Sequence, residues 1–180
     1  MTVALLIVDM QNALLPFVWE GPSLVRRLSA VIDRAHARGT LVVVTIQSGD
    51  PGSPLEPGGA GAEPARQLCL GTEDLHVTKT ATDSFYRSEL LEVLAHHEVT
   101  SLTVGGIATE YCVDATVRSA LSHDLDVDLL CDGHSPTTGA DTHRGLSPQQ
   151  VRDHHNAILT RAVHPGGTVR LVPTANAFHL

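Results

Sequence analysis

The sequence has no long apolar run, no cluster of positive charge and few aromatic residues. No apolar stretch approaches the roughly 18 residues that a membrane-spanning helix needs, so no membrane partner is expected. The 12 lysines and arginines are scattered, and the formal net charge is -8. Because phosphate binding needs clustered Lys and Arg, this composition argues against nucleic acid as a partner.

Cysteine is also scarce, with three residues in the 180-residue chain. The first apolar run has no basic segment before it and ends early, at Asp9, which is unlike a secretory signal. An odd number of cysteines without such a signal is typical of reduced thiols. We therefore expect a cytoplasmic protein.

Apolar, strand-like runs alternate with helical patterns along the whole chain. This alternation predicts βαβ units and an α/β fold, a three-layer, doubly wound, six-stranded parallel sheet in a single domain spanning residues 1–180. The predicted strands are Val3–Val8, Leu41–Ile46, Leu75–Thr78, Ser101–Val104, Val127–Cys131 and Thr168–Val172. The predicted helices are Ser23–Arg38, Ser88–His97, Thr109–His123 and Pro148–Val163.

The segment Gln47–Thr72 interrupts this alternation with four prolines and six glycines. Loops of this length inside compact domains are usually functional lids or disordered insertions. Leu55, Leu68 and Leu70 offer apolar anchors, which favours a lid or a subunit contact over plain disorder.

Three polar residues follow predicted strands, at the sheet edge where ligands bind in open α/β folds. Asp9 follows the first strand, Lys79 the third, and Cys112 begins the helix after the fourth. Alone, each has an ordinary structural explanation, as a turn cap, a surface lysine or a small buried residue. Together they supply a carboxylate, an amine and a nucleophile at one edge of the sheet.

Cys112 stands in the first turn of the predicted helix, with Thr109 as its N-cap. The free N–H groups and the positive end of the helix dipole favour a thiolate there. Such settings lower a cysteine pKa to roughly 3.5–7.5, so we expect Cys112 to be ionised at neutral pH. Cys69 and Cys131 have no comparable setting and are interpreted as structural.

Three stretches, "LLIVDMQN", "VTKTATDSFYRSEL" and "GGIATEYCVDATVRSAL", resemble the motifs of the isochorismatase-like cysteine hydrolases. That family includes nicotinamidases and N-carbamoylsarcosine amidases. The resemblance implies a catalytic triad of Asp9, Lys79 and Cys112 on a sheet with strand order 3-2-1-4-5-6. It also implies a cis peptide between Ile107 and Ala108, and an oxyanion hole formed by the N–H groups of Ala108 and Cys112.

The resemblance further implies hydrolysis of a small-molecule amide or another C–N bond through a thioester. In this mechanism Asp9 accepts the thiol proton, Lys79 stabilises the thiolate, and Cys112 attacks the substrate carbon. Because the third strand lies two strand spacings, roughly 10 Å, from the first, the chain is expected to bend inward around Thr78–Thr80 so that the lysine reaches the site.

The sequence departs from nicotinamidases where those proteins hold a metal. They carry an Asp-x-His pair after the second strand, but here Asp50 is followed by Pro51 and Gly52. No histidine occurs between His36 and His76. We therefore expect no metal, no other cofactor and a substrate other than nicotinamide.

Several residues near the motifs are candidates for substrate binding. Many relatives have a glutamine where this chain has Ala108, so a larger pocket is expected. The candidate pocket residues are Phe17, Trp19, Gln47, Tyr86 and Tyr111, with core packing as the alternative for the four aromatic rings. The partner is expected to be a small-molecule substrate, and the family resemblance implies a homodimer or homotetramer.

Two other readings remain open. The chain could be a small-molecule-binding doubly wound domain without enzymatic activity, although no Gly-x-Gly-x-x-Gly pattern follows the first strand. It could also be a catalytically inactive member of the family.

Overall fold

The computed structural model describes residues 2–139 and 144–179. In this part of the chain, six parallel strands form one sheet with the order β3-β2-β1-β4-β5-β6. The strands are β1 (Val3–Val8), β2 (Leu41–Gln47), β3 (Leu75–Lys79), β4 (Ser101–Ile107), β5 (Asp126–Ser135) and β6 (Val169–Val172). The α-helices are α1 (Gly21–Ala37), α2 (Leu90–His96), α3 (Asp114–Ser122) and α4 (Pro148–Leu159). The predicted α/β fold and its strand order are confirmed.

The sheet lies between two layers of helices because its central strands are apolar on both faces. In β1, Leu5 and Ile7 pack with the apolar stripe of α1. On the other face of the same strand, Ala4, Leu6 and Val8 pack with α2, α3 and α4. In the described residues no helix is both long and apolar enough to cross a bilayer.

Two strands extend three or four residues beyond their predicted ends, and both extensions lead to the edge of the sheet where Asp9 lies. β4 continues to Ile107 and β5 to Ser135. Gly106 has φ +136°, and a Cβ on it would lie 2.2 Å from the Val8 carbonyl oxygen. Only glycine allows β4 to approach β1 this closely. Gly105 and Gly106 therefore belong to β4, beyond its predicted end at Val104.

The helix predicted at Thr109–His123 begins with a different local structure. Residues Thr109–Val113 form a π-helical turn, and α3 starts at Asp114. Cys112 therefore lies two residues ahead of the α-helix instead of inside its first turn, which corrects the predicted N-cap at Thr109. π-helical turns occur often at functional sites.

The segment Gln47–Thr72 forms no helix and no further strand after β2 ends at Gln47. Its backbone nevertheless packs against the residues that follow β1. The N–H groups of Asn12 and Ala13 donate to the carbonyls of Glu63 and Gly61, at 3.0 and 2.9 Å. Leu68 is buried among the residues that surround α1. The segment is thus folded onto the edge of the sheet and is not a disordered insertion.

Candidate active site

Asp9, Lys79 and Cys112 meet at the carboxyl edge of the sheet. Asp9 directly follows β1, Lys79 is the last residue of β3, and Cys112 lies in the π-helical turn after β4. The Lys79 Nζ is 2.7 Å from Asp9 Oδ2 and 3.4 Å from Cys112 Sγ. The three side chains form one contiguous group.

Lys79 is the only lysine in the chain, and its side chain is completely buried. The β2–β3 ladder continues through Lys79, which pairs with Gln47, so the strand holds its register up to this residue. The inward bend expected around Thr78–Thr80 is therefore absent up to Lys79, and the lysine side chain itself spans the remaining gap. Besides Asp9 and Cys112, Nζ contacts Gln47 Oε1 at 2.7 Å and the Ala81 carbonyl at 2.9 Å.

Asp9 is also buried, and neighbouring groups fix its carboxylate. Thr45 Oγ1 donates to Asp9 Oδ1 at 3.0 Å, and the Asp9 N–H donates to the Thr45 carbonyl at 3.2 Å. Burial raises the pKa of Asp9 above its ordinary value, while Lys79 acts in the opposite direction. A carboxylate with a raised pKa is a stronger base than an exposed aspartate.

Cys112 is protonated in this setting. Burial, and after it the Asp9 charge, raise its pKa from 9.0 to about 12, although Lys79 acts in the opposite direction. The predicted thiolate is therefore wrong. Helix-terminus arguments omit the cost of burying a charge and the repulsion from Asp9, and here these two effects are larger.

The backbone around Cys112 has an unusual conformation. The peptide bond between Ile107 and Ala108 is cis. The N–H groups of Tyr111 and Val113 both donate to the Ala108 carbonyl, at 3.1 Å each. Ala108 thus joins the end of β4 to the turn that carries Cys112.

A buried network that the sequence analysis missed anchors the same turn. Thr109 Oγ1 contacts His134 Nδ1 at 2.8 Å, and His134 Nε2 contacts Asn156 Oδ1 at 2.9 Å. The Asn156 amide nitrogen donates to the Cys131 carbonyl at 3.0 Å, which leaves Oδ1 to accept from His134. His134 is therefore a donor at Nε2 and an acceptor at Nδ1. The network joins α4 and β5 to the first residue of the π-helical turn.

Gln11, also missed, fixes the end of β2. Its Oε1 accepts from the Gln47 N–H, and its Nε2 donates to the carbonyls of Gln47 and Ala62, all at 2.9 Å. Gln11 thereby links β2 to the proline- and glycine-rich segment. A signal was present in the sequence, because a polar residue three positions after the end of a buried strand lies at the functional edge of the sheet.

A cavity of about 320 Å³ opens above Cys112. Its lining combines two of the three catalytic candidates, Asp9 and Cys112, with apolar, aromatic and hydroxyl side chains. The lining residues are Asp9, Leu14, Phe17, Val18, Gln47, Leu55, Thr80, Thr82, Ile107, Ala108, Tyr111, Cys112 and Thr137. The Pro/Gly-rich segment contributes Leu55 to this wall.

Two of the predicted pocket residues lie elsewhere. The Arg152 guanidinium of α4 stacks on the Trp19 ring at 4.6 Å, so the indole packs against that helix and does not line the cavity. Tyr86 is half exposed beside Arg87, at 5.2 Å, and is also absent from the cavity wall. Closeness to a motif in sequence does not determine the direction in which a ring points.

Within residues 2–139 and 144–179, no group of three or more His, Cys, Asp or Glu side chains is arranged to hold a metal ion. The charged partner of Asp9 is the Lys79 ammonium, at 2.7 Å. The expectation of a metal-free site stays a prediction.

Comparison with known proteins identifies a family model and several relatives that this chain matches. The isochorismatase domain model matches residues 3–170. Streptothricin hydrolase of Streptomyces noursei is 35% identical over 136 residues, which cover 73% of this chain and 54% of that protein. The chain thus spans about half the length of this relative. A probable inactive nicotinamidase of Arabidopsis thaliana is 28% identical over 162 residues, covering 75% of this chain and 81% of that protein.

Among solved structures, N-carbamoylsarcosine amidase from Thermoplasma acidophilum superimposes with a TM-score of 0.74 at 22% identity. The superposition covers 95% of this chain and 96% of the amidase. At this level of identity, the likeness establishes a shared fold.

Proposed function

The chain belongs to the isochorismatase family, and we propose that it is a cysteine-dependent hydrolase of small-molecule amides or related C–N bonds. The observation that carries this proposal is the contact of Lys79 Nζ with both Asp9 and Cys112, two residues that line the same cavity. A nucleophile, a base and a cation within reach of one reacting atom are the elements of nucleophilic acyl transfer.

In the first step, a substrate carbonyl lies above Cys112, and the thiol proton moves to the Asp9 carboxylate as sulfur attacks carbon. Because this transfer moves a proton between two groups around one cation, the net charge of the buried site does not change. Lys79 is 3.4 Å from the sulfur and stabilises the negative charge that develops there. The raised pKa of Asp9 makes it an effective proton acceptor.

The tetrahedral intermediate then collapses. The N–H groups of Ala108 and Cys112 are the proposed donors to its oxyanion, and each such donor contributes about 2.7–4 kcal/mol in other enzymes. The C–N bond breaks, the proton on Asp9 goes to the leaving nitrogen, and a thioester remains on Cys112. Asp9 next takes a proton from water as the water oxygen attacks the thioester carbon. The C–S bond then breaks, the acid is released, and the proton on Asp9 returns to the Cys112 sulfur, which restores the resting site.

The named activities of two relatives agree with this reaction class. One is called a streptothricin hydrolase and the other an N-carbamoylsarcosine amidase. The reaction as proposed needs no metal, since Asp9 supplies the base and Lys79 the positive charge.

A second candidate is a family member without catalytic activity that binds a small molecule in the same cavity. The relative described as an inactive nicotinamidase favours keeping this candidate.

A panel of amides, carbamoyl compounds and lactams, assayed for release of ammonia or amine, distinguishes the two. The proposal expects turnover by the wild type and by Cys131→Ala, and none by Cys112→Ala with its fold intact. Cys131 is a suitable control because it is also partly buried but lies away from the cavity. Binding of a panel member without hydrolysis, or turnover by Cys112→Ala, would favour the inactive candidate or another site.

A further inference from the structure

The cavity that is lined by Asp9 and Cys112 is also lined by five large apolar or aromatic side chains. Leu14, Phe17 and Val18 come from the segment after β1, Leu55 from the proline- and glycine-rich segment, and Tyr111 from the π-helical turn. We refer to these five residues as the apolar wall. Its members come from three separate parts of the chain, so the fold brings them together at this one place.

Two aromatic rings of the apolar wall are exposed to solvent. Phe17 is 66% exposed and Tyr111 is 45% exposed, although both line the same cavity. Burying an aromatic side chain of this size is favourable, and rings beside a cavity cover apolar parts of ligands. The open rings therefore indicate what kind of group the cavity receives.

The negative charge of Asp9 at the cavity is already paired with the positive charge of Lys79. Asp9 is the ionisable carboxylate of the lining, and its partner Lys79 is fully engaged by Asp9, Gln47, Ala81 and Cys112. A carboxylate on a bound ligand would lie near Asp9 and against the apolar wall. Burying a charge in such a place without a partner is costly.

Building on the proposed function, we infer that the substrate presents an uncharged apolar or aromatic group to the apolar wall, next to the carbonyl that Cys112 attacks. An amide that carries a carboxylate at that position is a poor substrate. Leu55, Phe17 and Tyr111 determine this specificity.

The test uses alkylating reagents, since labelling of Cys112 requires entry to the cavity but not turnover. Iodoacetamide and iodoacetate have nearly the same shape and differ in charge, and Cys69 is an exposed reference thiol in the same molecule. Rates at each cysteine are measured by mass spectrometry of peptides. We expect the rate ratio of iodoacetamide to iodoacetate to be at least about tenfold larger at Cys112 than at Cys69.

N-benzyl iodoacetamide tests the apolar part of the inference. The rate with N-benzyl iodoacetamide is divided by the rate with iodoacetamide at each cysteine. We expect this ratio to be several-fold larger at Cys112 than at Cys69. Phe17→Ala or Tyr111→Ala should remove the difference. Equal ratios at both cysteines would overturn the inference. Failure of every reagent to label Cys112 even at about pH 10, where some thiolate forms despite its raised pKa, would also overturn it, because the cavity would then be closed to small molecules.

A charge introduced into the apolar wall provides the matched variant. Leu55→Lys is expected to raise the rate of iodoacetate at Cys112 about tenfold, and Leu55→Gln, which adds polarity without charge, is expected to leave it low. Selective labelling without hydrolysis of any amide would refute the proposed function alone. Hydrolysis with unselective labelling would refute this inference alone.

Discussion

Lys79 and Asp9 form an ion pair of 2.7 Å between Nζ and Oδ2, although both side chains are almost completely buried. Removing one partner of a buried pair commonly costs about 3–5 kcal/mol, because the other charge loses its compensation. In this site the single ammonium serves two groups, Asp9 and Cys112, that can each hold a negative charge. The resting site therefore holds one anion, and Cys112 keeps its proton.

Substituting Lys79 with methionine tests this arrangement. Because Lys79 lowers the pKa of both Asp9 and Cys112, its removal raises both pKa values. We expect Lys79→Met to lower kcat/KM at neutral pH by at least about a hundredfold, a combined effect on base and nucleophile. The acid limb of the pH–rate profile, which lies above the ordinary aspartate range in the wild type, should move to still higher pH.

The matched control is Arg118→Met, which removes the cation of the exposed pair between Arg118 and Asp114. Surface pairs of this kind contribute little, about 0–1 kcal/mol, so activity should be retained. An unchanged pH–rate profile in Lys79→Met would show that the lysine does not act on the reacting groups.

The protonated state of Cys112 has its own signature. Burial first, and the Asp9 charge second, raise the pKa of Cys112 to about 12. We therefore expect its alkylation rate to keep rising above pH 9, where free cysteine, with a pKa of about 8.5, begins to level off. A plateau reached below pH 8 would contradict a buried thiol and restore the thiolate that the helix position suggested.

The fold and the three catalytic candidates could be predicted from the sequence because each is marked by a local pattern of residues. Short apolar runs mark the strands, and Asp9, Lys79 and Cys112 each follow a strand or a glycine pair. The protonation of Cys112 could not be predicted, since it depends on burial and on Asp9, which is 103 residues distant in sequence. His134 and Gln11 gave no periodic pattern, because each is a single buried polar residue whose partners come from distant segments.

The buried His134 predicts how stability depends on pH. Burial lowers the pKa of His134 to about 4, with Asn156 opposing the shift. Since the folded pKa lies below the ordinary 6.5, the stabilising contribution is complete above pH 6.5 and is lost as pH falls toward 4. The shift corresponds to roughly 3 kcal/mol.

Urea unfolding between pH 7 and 4.5 measures this loss. His134→Gln should be less stable at pH 7 but show a shallower decline, and His97→Gln, at an exposed histidine, should decline like the wild type. A decline in His134→Gln as steep as in the wild type would mean that other groups cause the acid sensitivity.

Removal of metal tests the chemistry assigned to Lys79. The ammonium occupies the position facing Asp9 at 2.7 Å, where a cation bound to that carboxylate would otherwise lie. We expect dialysis against a strong chelator to leave kcat and KM unchanged. Loss of activity that returns on adding one metal ion per chain would refute the metal-independent mechanism.

Detection of the acyl-enzyme tests the central claim most directly. Wild-type protein is mixed with an amide that it hydrolyses, quenched in acid during turnover, digested and analysed by mass spectrometry. The account predicts a peptide containing Cys112 that carries the acyl group of the substrate, with no such adduct on Cys69 or Cys131 and neither adduct nor turnover in Cys112→Ala. Turnover in Cys112→Ala, or an acyl group on a different residue in the wild type, would contradict it.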